Sequence, residues 1–86
     1  MSSTIIDQFL TTGGATLDLW RRDDRARFTH DEIDAGRHVV HGWTCRGCQQ
    51  SAEMAVRSPE QKAREAARRD AEVHATKCTR PATPLA

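Results

Sequence analysis

Three cysteines and one histidine are the residues best placed to do chemistry. Cys45-Arg-Gly-Cys48 and His74-Ala-Thr-Lys-Cys78 together hold every cysteine of the chain. Zinc takes four nitrogen or sulfur ligands in a tetrahedron, and structural sites fill all four positions. A Cys-x-x-Cys turn points two thiolates at one ion, and Gly47 gives that turn a residue without Cβ. His74 and Cys78 are four residues apart, so on a helix they share one face. The pattern predicts one structural Zn2+ held by Cys45, Cys48, His74 and Cys78. His38 and His41, upstream of Cys45, are the alternative nitrogen ligands.

Two catalytic readings compete with this one. A redox Cys-x-x-Cys sits at a helix start in a βαβ setting, whereas no helix signal directly follows Cys48. His30-Asp-Glu32 upstream of a Cys-x-x-Cys suggests a zinc deaminase, but that pattern wants proline before the first cysteine, where this chain has Thr44. A catalytic zinc also keeps an open position, and four good ligands leave none. The expectation is a non-catalytic site.

The ligands must be carried by a turn and a helix. Ser58-Pro-Glu-Gln61 is a helix start, with serine as cap and glutamine three residues on as in a capping box. The helix is expected from Pro59 to about Cys78. Its alanines give high intrinsic propensity, and Glu60–Arg64 and Glu65–Arg69 are well-oriented ion pairs. Upstream, Leu17, Leu19 and Trp20 suggest a strand, Phe28 to Ile33 a second, and Arg37 to Thr44 a third. Asp34-Ala-Gly36 suggests a tight turn between the last two. Residues 4–12 show Ile5, Ile6, Phe9 and Leu10 at helical spacing before Gly13-Gly14, which predicts a short amphipathic helix. The expected fold is α+β: an antiparallel β-hairpin or three-stranded meander, a long C-terminal helix and a short N-terminal helix. Residues 1–80 form one domain and 81–86 a flexible tail.

Composition supports a metal-stapled domain. The chain has 86 residues, of which only 13 are Ile, Leu, Val or Phe. That share falls below about one fifth, where a stable core becomes hard to build. Small domains make up the shortfall with disulfides or a metal. The odd cysteine count, with no basic-then-apolar leader at the start, favours a reducing, cytoplasmic setting. No apolar stretch approaches the length of a membrane span. From Arg57 onward the large apolar residues are Val73 and Leu85. At about 25 cal/mol per Å2 such a helix docks weakly by burial, while zinc binding in comparable peptides is worth on the order of 10–16 kcal/mol.

Cys45-x2-Cys48 followed by His74-x3-Cys78 resembles a Cys-Cys-His-Cys zinc finger, with hairpin and helix ligands as in the ββα fingers. The Trp-x-Cys-x-Gly-Cys and Ala-x-x-His-Ala-x-x-Cys surroundings are similar to small zinc-binding proteins of actinobacteria. The resemblance covers about residues 43–80. It departs from DNA-reading fingers in the gap between Cys48 and His74, 25 residues here against about 12 there. Base-reading positions therefore do not carry over.

Two partner classes remain open. Net charge is +1, but residues 57–80 carry seven Lys or Arg against four Asp or Glu. Lys62, Arg64, Arg68 and Arg69 on the long helix are the candidate phosphate contacts for nucleic acid. Ile5, Ile6, Phe9 and Leu10 are the candidate contacts for a protein partner or a homodimer, with Trp20 and Trp43 as core residues or interface anchors. A small regulatory module acting through protein interaction is the favoured reading.

Overall fold

The computed structural model describes residues 3–81. Four strands run β1 (Thr4–Leu10), β2 (Thr16–Asp23), β3 (Val39–Cys45) and β4 (Ser51–Met54), with helices α1 (His30–Asp34) and α2 (Glu60–Lys77). The strands form one antiparallel sheet in the order β1-β2-β3-β4, a simple meander. α2 lies across one face, mainly over β3. The expected α+β class, with a long C-terminal helix, is what the chain forms. Of the expected tail, the part beyond Pro81 lies outside the described residues.

Register puts Leu17 opposite Cys45, Leu19 opposite Trp43 and Ala52 opposite Trp43. These side chains share the face beneath α2, and the helix answers with Ala63, Ala67, Ala71 and Ala75, all buried. Alanine at i, i+4, i+8 and i+12 makes a flat stripe, so the helix backbone can approach the sheet closely. The core is therefore thin and depends on Leu17, Leu19, Trp43 and Cys45.

Three local expectations are corrected. Residues 4–10 form strand β1, not a helix, because pairing with β2 satisfies their backbone. A register shift between Ile5 and Asp7 interrupts the alternation of faces, so both Ile6 and Phe9 reach the core. Residues 28–33 are not a strand. Thr29 and Glu32 close a reciprocal capping box that starts α1. At the long helix, Pro59 rather than Ser58 is the cap, and no side chain caps it. Glu60 accordingly turns to Arg21 at 2.8 Å and His41 at 3.2 Å instead of Arg64.

Polar ties fasten the helix along its length. Arg68 bonds Asp7 of β1 at 2.8 Å, and the Trp43 indole N–H donates to Asp70 at 2.7 Å. At the C-terminal end the β1–β2 turn takes over. The Thr12 amide donates to the Ala75 carbonyl at 2.9 Å, its hydroxyl to Thr76 O at 2.9 Å, and the Gly13 amide to Cys78 O at 3.0 Å. The last carbonyls of a helix have no partner within it, and this turn supplies them. Gly13 and Gly47 permit the close passage. A Cβ on Gly13 would stand 2.3 Å from Thr79 O, and one on Gly47 2.8 Å from Arg80 O.

Candidate metal centre

Cys45 ends β3, and Cys48 follows in a tight knuckle. The Gln49 amide donates to Cys45 O at 2.9 Å and the Cys45 amide to Gln50 O at 2.8 Å. Gln49 takes a left-handed φ of 62°, which lets the chain double back into β4. The fold aims backbone amides at the sulfurs: those of Cys48 and Gly47 at Cys45, and that of Gln50 at Cys48. Such donors favour thiolates. The Arg46 amide ties the knuckle to Thr16 O of β2 at 2.9 Å.

The other two ligands come from the end of α2. His74 lies in its last turn. Cys78 is the residue just past it, with extended backbone and its amide on His74 O at 2.8 Å. The ligand atoms of Cys45, Cys48, His74 and Cys78 all lie within 4.8 Å of one another. Cys45 Sγ and Cys78 Sγ are 3.8 Å apart, and Cys48 Sγ lies 3.2 Å from His74 Nε2. With Zn–S near 2.3 Å and Zn–N near 2.05 Å, a tetrahedron has edges of about 3.8 Å (S to S) and about 3.6 Å (S to N). The first separation matches, and the second is slightly tight. All three cysteines are free thiols. The four residues fit a single tetrahedral metal ion.

Electrostatics agree with the geometry. Burial pushes the Cys45 thiol up, but the Cys48 and Gly47 amides, with His74 and Cys48, outweigh it, and its pKa falls to about 7. Cys48 moves the other way, raised by burial and by its two neighbouring thiols. One thiolate would be ready near neutral pH, and a cation would draw off the remaining protons.

Support for His74 was not anticipated in the sequence. Trp43 stacks beside its ring, centroids 4.5 Å apart, and is itself fixed by Asp70. A Trp and an Asp 27 residues apart carry no mark of such a pair until β3 and α2 are laid together. His38 and His41 are not in the cluster: His41 faces Glu60, and His38 lies near Asp23.

The other candidate residues divide. Ile6 and Phe9 pack on the core, whereas Ile5 and Leu10 stand 50% and 77% exposed. Trp43 is buried in the core. Trp20 is half-buried on the opposite sheet face, its indole N–H on Thr44 Oγ1 at 3.1 Å. Lys62, Arg64 and Arg69 are exposed, while Arg68 is engaged by Asp7 and lies over the Phe9 ring. Glu60 and Glu65 share a shallow depression with Arg64 and Arg68, so that surface is mixed in sign. No helix among the described residues is long and apolar enough to cross a membrane.

No known protein family, no curated protein and no solved structure matches the chain, and none gives support to a likeness with actinobacterial zinc-binding proteins. Around the four clustered residues the chain runs β3–knuckle–β4–α2, with β1 and β2 extending the sheet.

Proposed function

We propose that this protein is a non-catalytic zinc module of a reducing compartment, whose metal fixes α2 to the β3–β4 knuckle and so presents a rigid surface to a protein partner. The observation that carries it is the convergence of three thiols and one imidazole from two elements. The choice of zinc follows from the donor set, since thiolate and imidazole in a closed tetrahedron suit it well. Four donors complete the coordination, so no position is left for a reacting water. The partner surface is edge strand β1, where Ile5 and Leu10 remain exposed while Ile6 and Phe9 pack on the core.

The test is affinity capture with the zinc-loaded protein beside an Ile5→Ser/Leu10→Ser variant. A partner, or a second copy of the chain, retained by the wild type and lost by the variant supports the reading. Equal retention by both removes β1 as the surface. Steeply salt-dependent binding to duplex DNA would favour nucleic acid instead.

A further inference from the structure

The metal centre is closed on one side and open on the other. Cys45 Sγ belongs to a wholly buried residue at the end of β3, with two backbone amides turned to it. Cys48 is half-buried and receives one amide, from Gln50. A surface depression of about 360 Å3 is lined by Cys48, His74 and Cys78, with Gln50, Lys77 and Arg80 around them. Cys45 does not line it.

In a loaded centre every ligand thiol is deprotonated by the ion, and access decides which reacts. Three thiolates around a divalent ion leave a charge of −1, and Lys77 and Arg80 stand where they offset it. An oxidant entering the depression meets Cys48 first, and Cys78 is the second thiol on the same wall, within 4.8 Å of it.

We propose that Cys48 is an oxidation site of the loaded centre, where a hydroperoxide is reduced and the resulting sulfenic acid closes onto Cys78 with release of the metal. The Cys48 thiolate attacks the outer peroxide oxygen. An S–O bond forms, the O–O bond breaks, and the alkoxide leaves as an alcohol after taking a proton. The Cys78 thiolate then attacks the sulfenic sulfur. The S–S bond forms, hydroxide departs and is protonated to water, and the two thiolates have supplied the two electrons that reduce the peroxide. With two of four ligands gone, the ion has only Cys45 and His74 and dissociates. The disulfide ties the knuckle to the end of α2, so the two ligand-bearing elements stay joined without metal. This rests on the zinc reading of the site.

The experiment uses the wild-type, zinc-loaded chain. Trypsin cuts after Arg46, Arg57 and Lys77, which puts the three cysteines on three peptides. Limiting iodoacetamide should label Cys48 at least tenfold faster than Cys45 or Cys78. In a separate, unalkylated sample, hydrogen peroxide should release zinc, read with a chromogenic chelator, in step with a crosslink between the 47–57 peptide and the peptide that begins at Cys78. First labelling at Cys45 or Cys78, a Cys45 crosslink as the first product, or zinc loss with Cys48 still reduced would overturn the proposal. A chain that carries no zinc at the outset fails the earlier reading instead, and its peptide crosslinks still decide which thiols pair.

Discussion

The backbone amide of Gly13 donates to the carbonyl of Cys78 at 3.0 Å. That bond joins the β1–β2 turn, far away in sequence, to the last residue of the candidate metal cluster. The hairpin turn thus holds α2 at its C-terminal end, beside the cluster of Cys45, Cys48, His74 and Cys78. The turn fixes where Cys78 stands before any ion arrives, and a preformed ligand loses less freedom on binding.

Gly13→Ala should therefore weaken metal binding without touching a ligand. The added methyl would stand 2.3 Å from Thr79 O, a backbone atom that must shift and take Cys78 with it. A cost of about 1–3 kcal/mol in urea unfolding is expected for such crowding. Zinc affinity measured by chelator competition should fall in parallel, whereas Gly14→Ala, which meets no atom within 4 Å, should act only through its φ.

Trp43→Phe should lower both stability and affinity. It keeps a ring near His74 but removes the indole N–H that Asp70 accepts at 2.7 Å. A hydrogen bond to a charged group is worth about 1.5–3 kcal/mol. Residues that orient a metal ligand typically cost about 10–100-fold in affinity when lost. Denaturant midpoints and zinc competition, measured on Trp43→Phe and Asp70→Asn together, check whether the two losses overlap as one interaction should.

Ala67→Leu tests the close approach of helix and sheet. Ala67 is wholly buried over the core cluster formed by Leu17, Leu19 and Trp43. Overpacking of that kind costs about 1–3 kcal/mol. Arg69→Leu, at an exposed position, should change stability by less than about 0.5 kcal/mol. Circular dichroism during urea titration separates the two.

Acid should loosen the fold. His41 is 1% exposed, and burial lowers its pKa against the opposing pull of Glu60. The unfolded chain takes up a proton below about 6.5 that the folded chain resists, so stability is full above that value and falls as pH drops. Glu60 is held below the usual carboxylate range by Arg21 and adds a further loss at lower pH. Proton competition for the thiolates acts in the same direction. Urea midpoints from pH 7.5 to 5.5 in saturating zinc should decline, and His41→Gln should flatten the decline.

The cluster of Cys45, Cys48, His74 and Cys78 was legible because a metal site imposes spacing on the chain itself: two residues between Cys45 and Cys48, three between His74 and Cys78. The long helix was legible from its alanines, although its cap was not, since Glu60 is drawn to Arg21 and His41 across the domain. β1 was hidden for a specific reason. The irregular register at Ile5–Asp7 brings Ile6 and Phe9 inward at a three-residue interval, and in sequence that interval imitates a helix. The capping box at Thr29–Glu32 was present in the sequence, but the apolar Phe28 and Ile33 at its flanks resembled a strand. Weak docking of α2 by burial follows from its lack of large apolar residues, and among the ties that compensate, Trp43–Asp70 and Asp7–Arg68 join partners 27 and 61 residues apart.

The most direct measurement is zinc content per chain, by mass spectrometry under native conditions, for the wild type and for Cys78→Ser, each followed by circular dichroism with and without chelator. The expected result is one zinc per wild-type chain and a helical signal that drops on chelation. Cys78→Ser should lose far more than the roughly 10–100-fold in affinity that a supporting residue costs. A wild-type chain with no zinc, three reactive thiols and a spectrum indifferent to chelator would contradict the assignment.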